Sequence, residues 1–406
     1  MHHYSSEKGQ ALIIIALAAV GLFAFAALAI DGSMVFSDRR HAQNTADTAA
    51  LAAALAKIRS QSFEAAATQR ATSNGYDNNH TTNIVDVYNP PVDGFYAGNS
   101  EYIQVKITSN VKTTFARVIG RNEVINHVEA VARAVPGYAS PMFGGSAVVG
   151  LDPSGCKAVF FNGNANMTLT GSGIYVNSNC SPNAFYNQSS SPGILTTPCI
   201  QTVGGYQYTS GKVLITQAGC PQSSVPPIPT PPLPTISCGT QQATIQSDRK
   251  TLSPGNWTGA FPPSGIMYLQ SGTYCVRGNF QINGGDTLIG HDVTIYMIDG
   301  FVKWNGGATL QLDAPDRGDY AGLLIYLPPT NSNVVVVNGN GDSHIVGSIF
   351  APASEVTVEG GGGASGLECQ IIGFHVNLSG SSSTKIDFKA NLNYQPPIPP
   401  AIALAQ

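Results

Sequence analysis

From Ala11 to Ile30 the chain reads ALIIIALAAVGLFAFAALAI, twenty residues without a charge or a strongly polar side chain. At about 1.5 Å per helical residue, such a run matches a hydrocarbon core of roughly 30 Å. It predicts a transmembrane helix that meets membrane lipid through residues 11–30, with 1–9 as a short cytoplasmic lead. A cleaved secretory signal is the alternative. Against it, the run is longer than a signal's apolar core and the following sequence stays helical. Residues 33–72 hold no proline and are rich in Ala, as a stable helix prefers. Met34, Ala42, Ala46, Ala49, Ala53 and Ile58 recur near helical spacing. One helix over 10–72 is the expectation, half in a bilayer or fibre core and half packed on a small domain.

The low charge bears on which side of the membrane the bulk occupies. Lys8 precedes the apolar run, while Arg39 and Arg40 follow it. Counting positive charges alone puts the C-terminal side in the cytoplasm. Only 11% of the 406 residues are charged, less than half the roughly 25% usual in soluble domains. Gly is high at 44 residues, and all seven cysteines lie at or beyond position 156. Such a bulk suits an oxidising, extracytoplasmic location. The reading follows the bulk, because dedicated secretion routes override a two-charge bias. A net charge of −4, with no basic run longer than Arg39-Arg40, argues against a nucleic-acid partner.

The cysteines are Cys156, Cys180, Cys199, Cys220, Cys238, Cys275 and Cys369, with no C-x-x-C among them. A zinc ribbon or thioredoxin-like site is therefore disfavoured, and the spacing reads as disulfides. Near-neighbour pairs 156–180, 199–220 and 238–275 would leave Cys369 over; sequence does not fix connectivity.

Residues 73–136 read as a small α+β domain. Ile84–Val87 and Tyr102–Ile107 alternate apolar and polar, as do residues 124–135 up to Pro136. Thr113–Gly120 reads as a short helix ending at Gly. A family pattern runs through the preceding segment: Gly9-Gln10-Ala11-Leu12, the apolar run, Ala29-Ile30-Asp31-Gly32, Arg39-Arg40, Gln43-Asn44, Ala46-Asp47 and Ala49-Ala50-Leu51-Ala52-Ala53. This segment resembles the N-terminal region of TadE/TadG-like proteins of the Flp (tight adherence) pilus system. The resemblance implies a single-pass, pilin-like anchor with its bulk outside the cytoplasm. It also implies a role in assembling an adhesion pilus, or in being a minor part of one, with other pilus or secretion-system subunits as partners. Prepilin-type cleavage would fall between Gly9 and Gln10. Where pilins carry Glu five residues into the mature chain, this one has Ile14, which favours the TadG-like branch. The D-x-S-x-S motif of a von Willebrand A metal site is absent.

Residues 137–145 form a linker by composition. In 146–394 an apolar residue, a polar residue and Gly recur together. The sites are Phe161-Asn162-Gly163, Ile282-Asn283-Gly284, Trp304-Asn305-Gly306 and Val337-Asn338-Gly339, then more weakly Val358-Glu359-Gly360 and Leu378-Ser379-Gly380. From Asn283 onward most intervals are near 21 residues, and one longer interval contains the polar stretch Asp313–Asp319. That period suits one coil of a parallel β-helix; an antiparallel sandwich with Gly turns is the alternative. Residues 221–236 hold seven prolines and favour polyproline II, either as a strap bracketed by Cys220 and Cys238 or as a linker. A second Pro-rich stretch, 395–406, reads as an extended tail.

Specific catalytic or metal constellations are not found, and neither cofactor nor metal is expected. His2-His3 is too short for a metal tract; His291, His344 and His375 could meet on neighbouring rungs as a zinc site, with isolated strand histidines the ordinary reading. Asp313, Asp316 and Asp319 lack EF-hand spacing. Asn338–Asp342 reads as a corner. Asp286, Asp292, Asp299 and Glu355 would be the carboxylates of a glycan-active β-helix. Trp257, Tyr268, Tyr274, Tyr296 and Trp304 could stack on sugars, and core packing accounts for most of them equally well. The expectation is a non-enzymatic, membrane-anchored surface protein whose β-rich domain serves adhesion or scaffolding. The alternative is a surface-tethered glycan-active or glycan-binding β-helix.

Overall fold

A computed structural model describes residues 8–188, 190, 192–339, 342–360, 365–380 and 382–405. The chain divides into two compact units. One runs to Tyr138 and takes up the chain again from Ile398; the other is Ala139–Pro397.

In the first unit, helix α1 spans Lys8–Ile58. Its C-terminal half carries an Ala ladder, Ala42, Ala46, Ala49, Ala50, Ala53 and Ala54, each fully buried. Such small side chains let the helix lie close against an antiparallel sheet of β1 (Asn83–Tyr88), β2 (Tyr102–Lys112) and β3 (Glu123–Val135). Ile103, Val105 and Ile107 of β2, with Val128, Ala130 and Ala132 of β3, supply the facing core. The single helix expected over 10–72 is instead two. Ser60 takes a φ of 56°, and Ser62 caps α2 (Phe63–Ser73), its Oγ accepting the Ala65 N–H at 3.2 Å. The break lets α2 fold back, so that Ala67 and Ala71 join the Ala ladder. The Pro-rich tail, set apart from both domains in the sequence reading, ends as a strand. Ala401–Ala405 lies antiparallel to β3, with Ala401 opposite Val135 and Ala405 opposite Val131.

The second unit is a parallel β-solenoid of about ten turns. Each turn contributes to three faces, and neighbouring turns pair in parallel on all of them. Side chains stack in register inside. On the first face the ladder runs Ile200, Ile174, Val148, Ile371, Ile349, Ile325, Ile295 and Tyr274. On the second it runs Phe185, Val159, Val376, Val356, Val335, Val302 and Phe280. The third includes Leu169, Ile386, Leu367, Ile345 and Leu312. The recurring polar-Gly sites follow the second-face strands, so they mark one corner repeated coil after coil. Where that corner reads Asn-Gly-Gly, the left-handed backbone falls on the second glycine, Gly285 and Gly307, each at φ 89°. Asn305 Nδ2 donates to Asn283 Oδ1 at 3.2 Å, tying one corner to the next. Of the Asn338–Asp342 corner, Asn340 and Gly341 lie outside the described residues.

Coil order in space departs from order in the chain. The first coil (strands Val148–Gly150, Val159–Phe161, Met167–Thr170) lies in the interior of the stack. From it the chain winds outward to Val213–Ile215 at one end. It then crosses to the opposite end, resumes at Thr251–Leu252, and winds back until the last coil (Ile371–Gly380, Thr384–Asp387) pairs with the first.

The crossing segment is the Pro-rich stretch 221–236, an ordered strap. First-face strands are apolar on their outer side too, through Val149, Tyr175, Tyr326, Phe350 and Ile372. Val225, Ile228 and Ile236 of the strap pack on this outer layer, and Met142 and Phe143 of the linker belong to it. The strap's Ile228 N–H donates to Tyr175 Oη at 2.8 Å, and Tyr320 Oη donates to the Thr235 carbonyl at 3.1 Å. Its seven prolines spare it nearly half of the N–H groups that an apolar surface leaves unsatisfied. Disulfides Cys199–Cys220 and Cys238–Cys275 fasten its two ends to the solenoid, and Cys156–Cys180 links adjacent second-face turns. Cys369 is free and buried.

The seam between first and last coils is directly testable. Thr170 and Asp387 are register partners across it, with Thr170 Oγ1 donating to Asp387 Oδ1 at 2.5 Å. The double variant Thr170→Cys/Asp387→Cys is expected to form an intramolecular disulfide, detected by peptide mapping without reduction. A stack built in chain order would keep these positions apart and yield no such peptide.

Candidate functional site

Along α1 the division of labour is sharp. Residues 13–30 are apolar and largely exposed, with Ile13 at 61%, Phe23 at 77% and Leu28 at 66%. Burial begins at Asp31, which is 5% exposed although ionisable. Its carboxylate accepts the N–H groups of Ala116 at 2.6 Å, Thr114 at 2.9 Å and Phe115 at 3.0 Å. These are the first donors of a 3-10 turn, Ala116–Ile119, that forms the tip between β2 and β3 and closes at Gly120 with φ 88°. One side chain at the end of the apolar run thus clamps the hairpin tip to the helix. Two turns later Asp38 repeats the device. Its carboxylate accepts Asn126 Nδ2 at 2.7 Å, Ser109 Oγ at 3.0 Å and Tyr76 Oη at 3.1 Å. Burial and the Asp38 carboxylate both push the Tyr76 phenol far above its ordinary range. Gln43 Nε2 then donates to the Glu129 carbonyl and to Asp47 Oδ1, each at 2.9 Å. The processing candidates Gly9 and Gln10 fall in the first turn of α1. His2 and His3 lie outside the described residues.

In the solenoid the four candidate carboxylates lie on different strands and turns. Asp286 sits at the corner between second and third faces, where it accepts the Asn283 N–H at 3.2 Å. Asp299 ends a first-face strand, 3.8 Å from Arg277. Glu355 opens a second-face stretch and bonds Asn377. Asp292 follows a third-face strand, and its N–H donates to Asp313 Oδ2 at 3.2 Å. Of the aromatic candidates, Trp304 and Tyr274 are core residues at 1% and 0% exposure, placed inward by strand alternation. Trp257 donates Nε1–H to the Ala260 carbonyl, and Tyr296 stacks on Tyr326. Tyr268 is the exposed one.

The three histidines do not converge. His291 Nδ1 lies 2.5 Å from Asp313 Oδ1, His375 Nε2 lies 2.7 Å from Asp152 Oδ2, and His344 opens another strand. Asp316 pairs with Arg317. Among the described residues, no His/Cys/Asp/Glu group has metal-holding geometry. Burial pushes the Cys369 thiol up to about 12, so it carries no thiolate at neutral pH.

Residues 9–56 match the family model described as putative Flp pilus-assembly TadE/G-like. No curated protein and no solved structure matches the chain. Within the TadE/G-like segment, the residues that carry the resemblance now have physical roles. Ala46, Ala49, Ala50 and Ala53 are the ladder on the sheet, Asp31 holds the tip, and Gln43 reaches β3. Sequence reasoning did not assign Asp31 and Asp38 to docking. The available signal was a pair of carboxylates seven residues apart on one helical face.

Replacing Asp31 by Ala is expected to release the hairpin tip. Hydrogen exchange should accelerate at the amides of Thr114, Phe115 and Ala116 while the Ala ladder keeps its protection. Unchanged exchange at those three amides would contradict the clamp.

Burial opposes ionisation of Asp152, yet the N–H groups of Ser154 and Gly155 and the ring of His375 hold its carboxyl below the usual range. A lowered folded pKa contributes stability above the unfolded value and loses it as pH falls through the folded one. The unfolding midpoint of wild type over Asp152→Asn should therefore be offset above about pH 5, begin to narrow near pH 4, and converge only as pH falls below the ordinary aspartate range.

Proposed function

We propose that this is a membrane-anchored, TadE/G-like pilus-associated protein whose solenoid is a non-catalytic module for adhesion or scaffolding on the extracytoplasmic side. The observation that carries this reading is the division of α1. An exposed apolar half long enough to cross a bilayer continues without a break into a half sunk in its own small domain. The family match on residues 9–56 supports pilus association, with other pilus or secretion-system subunits as partners. Three disulfides support an oxidising compartment. The non-catalytic role is supported by the scatter of Asp286, Asp292, Asp299 and Glu355 over different corners and strands.

One observation favours a surface glycan as ligand of the solenoid. Phe160 and Tyr186 stack with ring centroids 5.7 Å apart on the second face, and Lys157 Nζ lies 4.9 Å from the Tyr186 centroid. Lys157 lies over both rings, so an acidic sugar would meet the cation with aromatic surface alongside it.

The deciding experiment is the N-terminus of native protein, read by mass spectrometry in sheared surface material and in the membrane fraction. The expected result is a start at Gln10 in surface fibres or at Met1 in the membrane. The first means prepilin-type processing into a fibre, the second a permanent anchor. A start beyond residue 31 would mean a cleaved signal and would remove the anchor reading.

A further inference from the structure

The tip between β2 and β3 is out of keeping with an aqueous loop. Val118 is 86% exposed and Ile119 80%, with Phe115 beside them at 43%. No function described above uses these side chains. Their neighbours across a groove of about 370 Å³ are Ala24, Ala27 and Leu28 of α1. Those three belong to the apolar run itself. We propose that this tip is a second membrane contact, seated in the hydrocarbon of the leaflet on the domain's side with lipid acyl chains filling the groove.

The proposal rests on reading residues 11–30 as a membrane span, and three features of the same unit support it. The first is depth. Asp31 fixes the tip at the end of the span through the N–H groups of Thr114, Phe115 and Ala116, and the groove extends back to Ala24. Seven helical residues amount to about 10 Å, the depth at which apolar faces of interfacial segments sit. A tip held against Ala24–Leu28 shares the medium of those residues. The second is polarity. The backbone donors that open the 3-10 turn end on one carboxylate, and Gly120 and Arg121 close it by donating to the carbonyls of Arg117 and Ala116. These N–H groups thus have partners before they leave water. The third is charge. Lys112, Arg117 and Arg121 flank the apolar residues, and all three are exposed, with Glu123 the acidic exception. Long cations snorkel to anionic headgroups while neighbouring apolar residues go deeper. A hairpin tip set in lipid beside the helix gives the anchor two points of attachment, and restrains rotation of the domain about the helix axis.

The test uses the full chain. Six cysteines are in disulfides and Cys369 is buried, so an introduced surface cysteine is the reactive thiol. Val118→Cys, Val20→Cys and Phe95→Cys each receive an environment-sensitive fluorophore. The labelled proteins are reconstituted into phosphatidylcholine–phosphatidylglycerol vesicles carrying nitroxide lipids, labelled either near the headgroup end or near the tail end of the acyl chain. Val20 lies within the apolar run, and Phe95, 93% exposed, lies in the β1–β2 connection at the other end of the sheet. The expected result is that position 118 is quenched most by the shallow nitroxide, several-fold more strongly than position 95, while position 20 is quenched most by the deep one. Quenching at 20 with none at 118 would overturn the proposal and leave the span intact. Emission at 118 shielded from aqueous iodide but not quenched by lipid would overturn it in favour of a protein partner on the tip. No quenching at 20 would overturn the span, and the proposal with it.

Discussion

The solenoid is an insertion, and that constraint shapes its topology. β3 leads into it, and the strand that follows it, Ala401–Ala405, pairs with β3 again. Entry and exit therefore belong to one sheet. A β-helix wound in chain order would deliver its end about 45 Å from its beginning after some ten coils at about 4.8 Å each. The chain instead enters in the interior of the stack, winds out one way, crosses to the far end, and winds back to its starting coil. Each coil is stabilised mainly by its neighbours. The seam between Val148–Gly150 and Ile371–Gly373 is hydrogen-bonded like any other step, although its strands lie more than two hundred positions apart in the chain.

That route requires a segment able to cross the outside of the stack, and the first face is built to receive one. Its strands are apolar on both sides, as in sheets covered on both faces. Left bare, Tyr175, Tyr326, Phe350 and Ile372 would form an exposed hydrophobic stripe of the kind that promotes association. A proline-rich strap covers that stripe with few unsatisfied donors of its own. Disulfides at both ends limit the freedom that the long connection has in the unfolded chain.

What was legible in the sequence was local and periodic. The apolar run, the Asn-Gly corners near every 21 residues and the Pro-rich stretch each announce a backbone geometry through residue type alone. Less legible was anything decided by partners remote in the chain. The corner motif recurs identically whichever way the coils are stacked, so it carries no record of the interrupted order. Inward and outward aromatics look alike when both sides of a strand are covered, which is why Tyr274 reads as a candidate for sugar stacking and is core; the alternation of Val302, Lys303 and Trp304 already pointed Trp304 inward. The break at Ser60–Ser62 was masked by an Ala-rich context on both sides. Asp31 and Asp38 are charged residues on a helix, and only the arrival of β2 and β3 turns them into docking groups. The terminal strand, Ala-rich and short, had no strand signal apart from its pairing with β3.

Because both linkers leave from the seam, the two outer ends of the solenoid are free to change length without displacing the attachment. A coil added to either arm leaves the entry and exit coils where they are. The strap alone registers the change, since it must run from the coil of Cys199 to that of Cys275, seven inter-coil steps in the present sheet order, or about 34 Å. Its sixteen residues, 221–236, reach about 50 Å in polyproline II. Each further coil uses roughly one and a half residues of that reach. The strap is thus a ruler with slack for about three more coils, and beyond that point solenoid length and strap length have to evolve together.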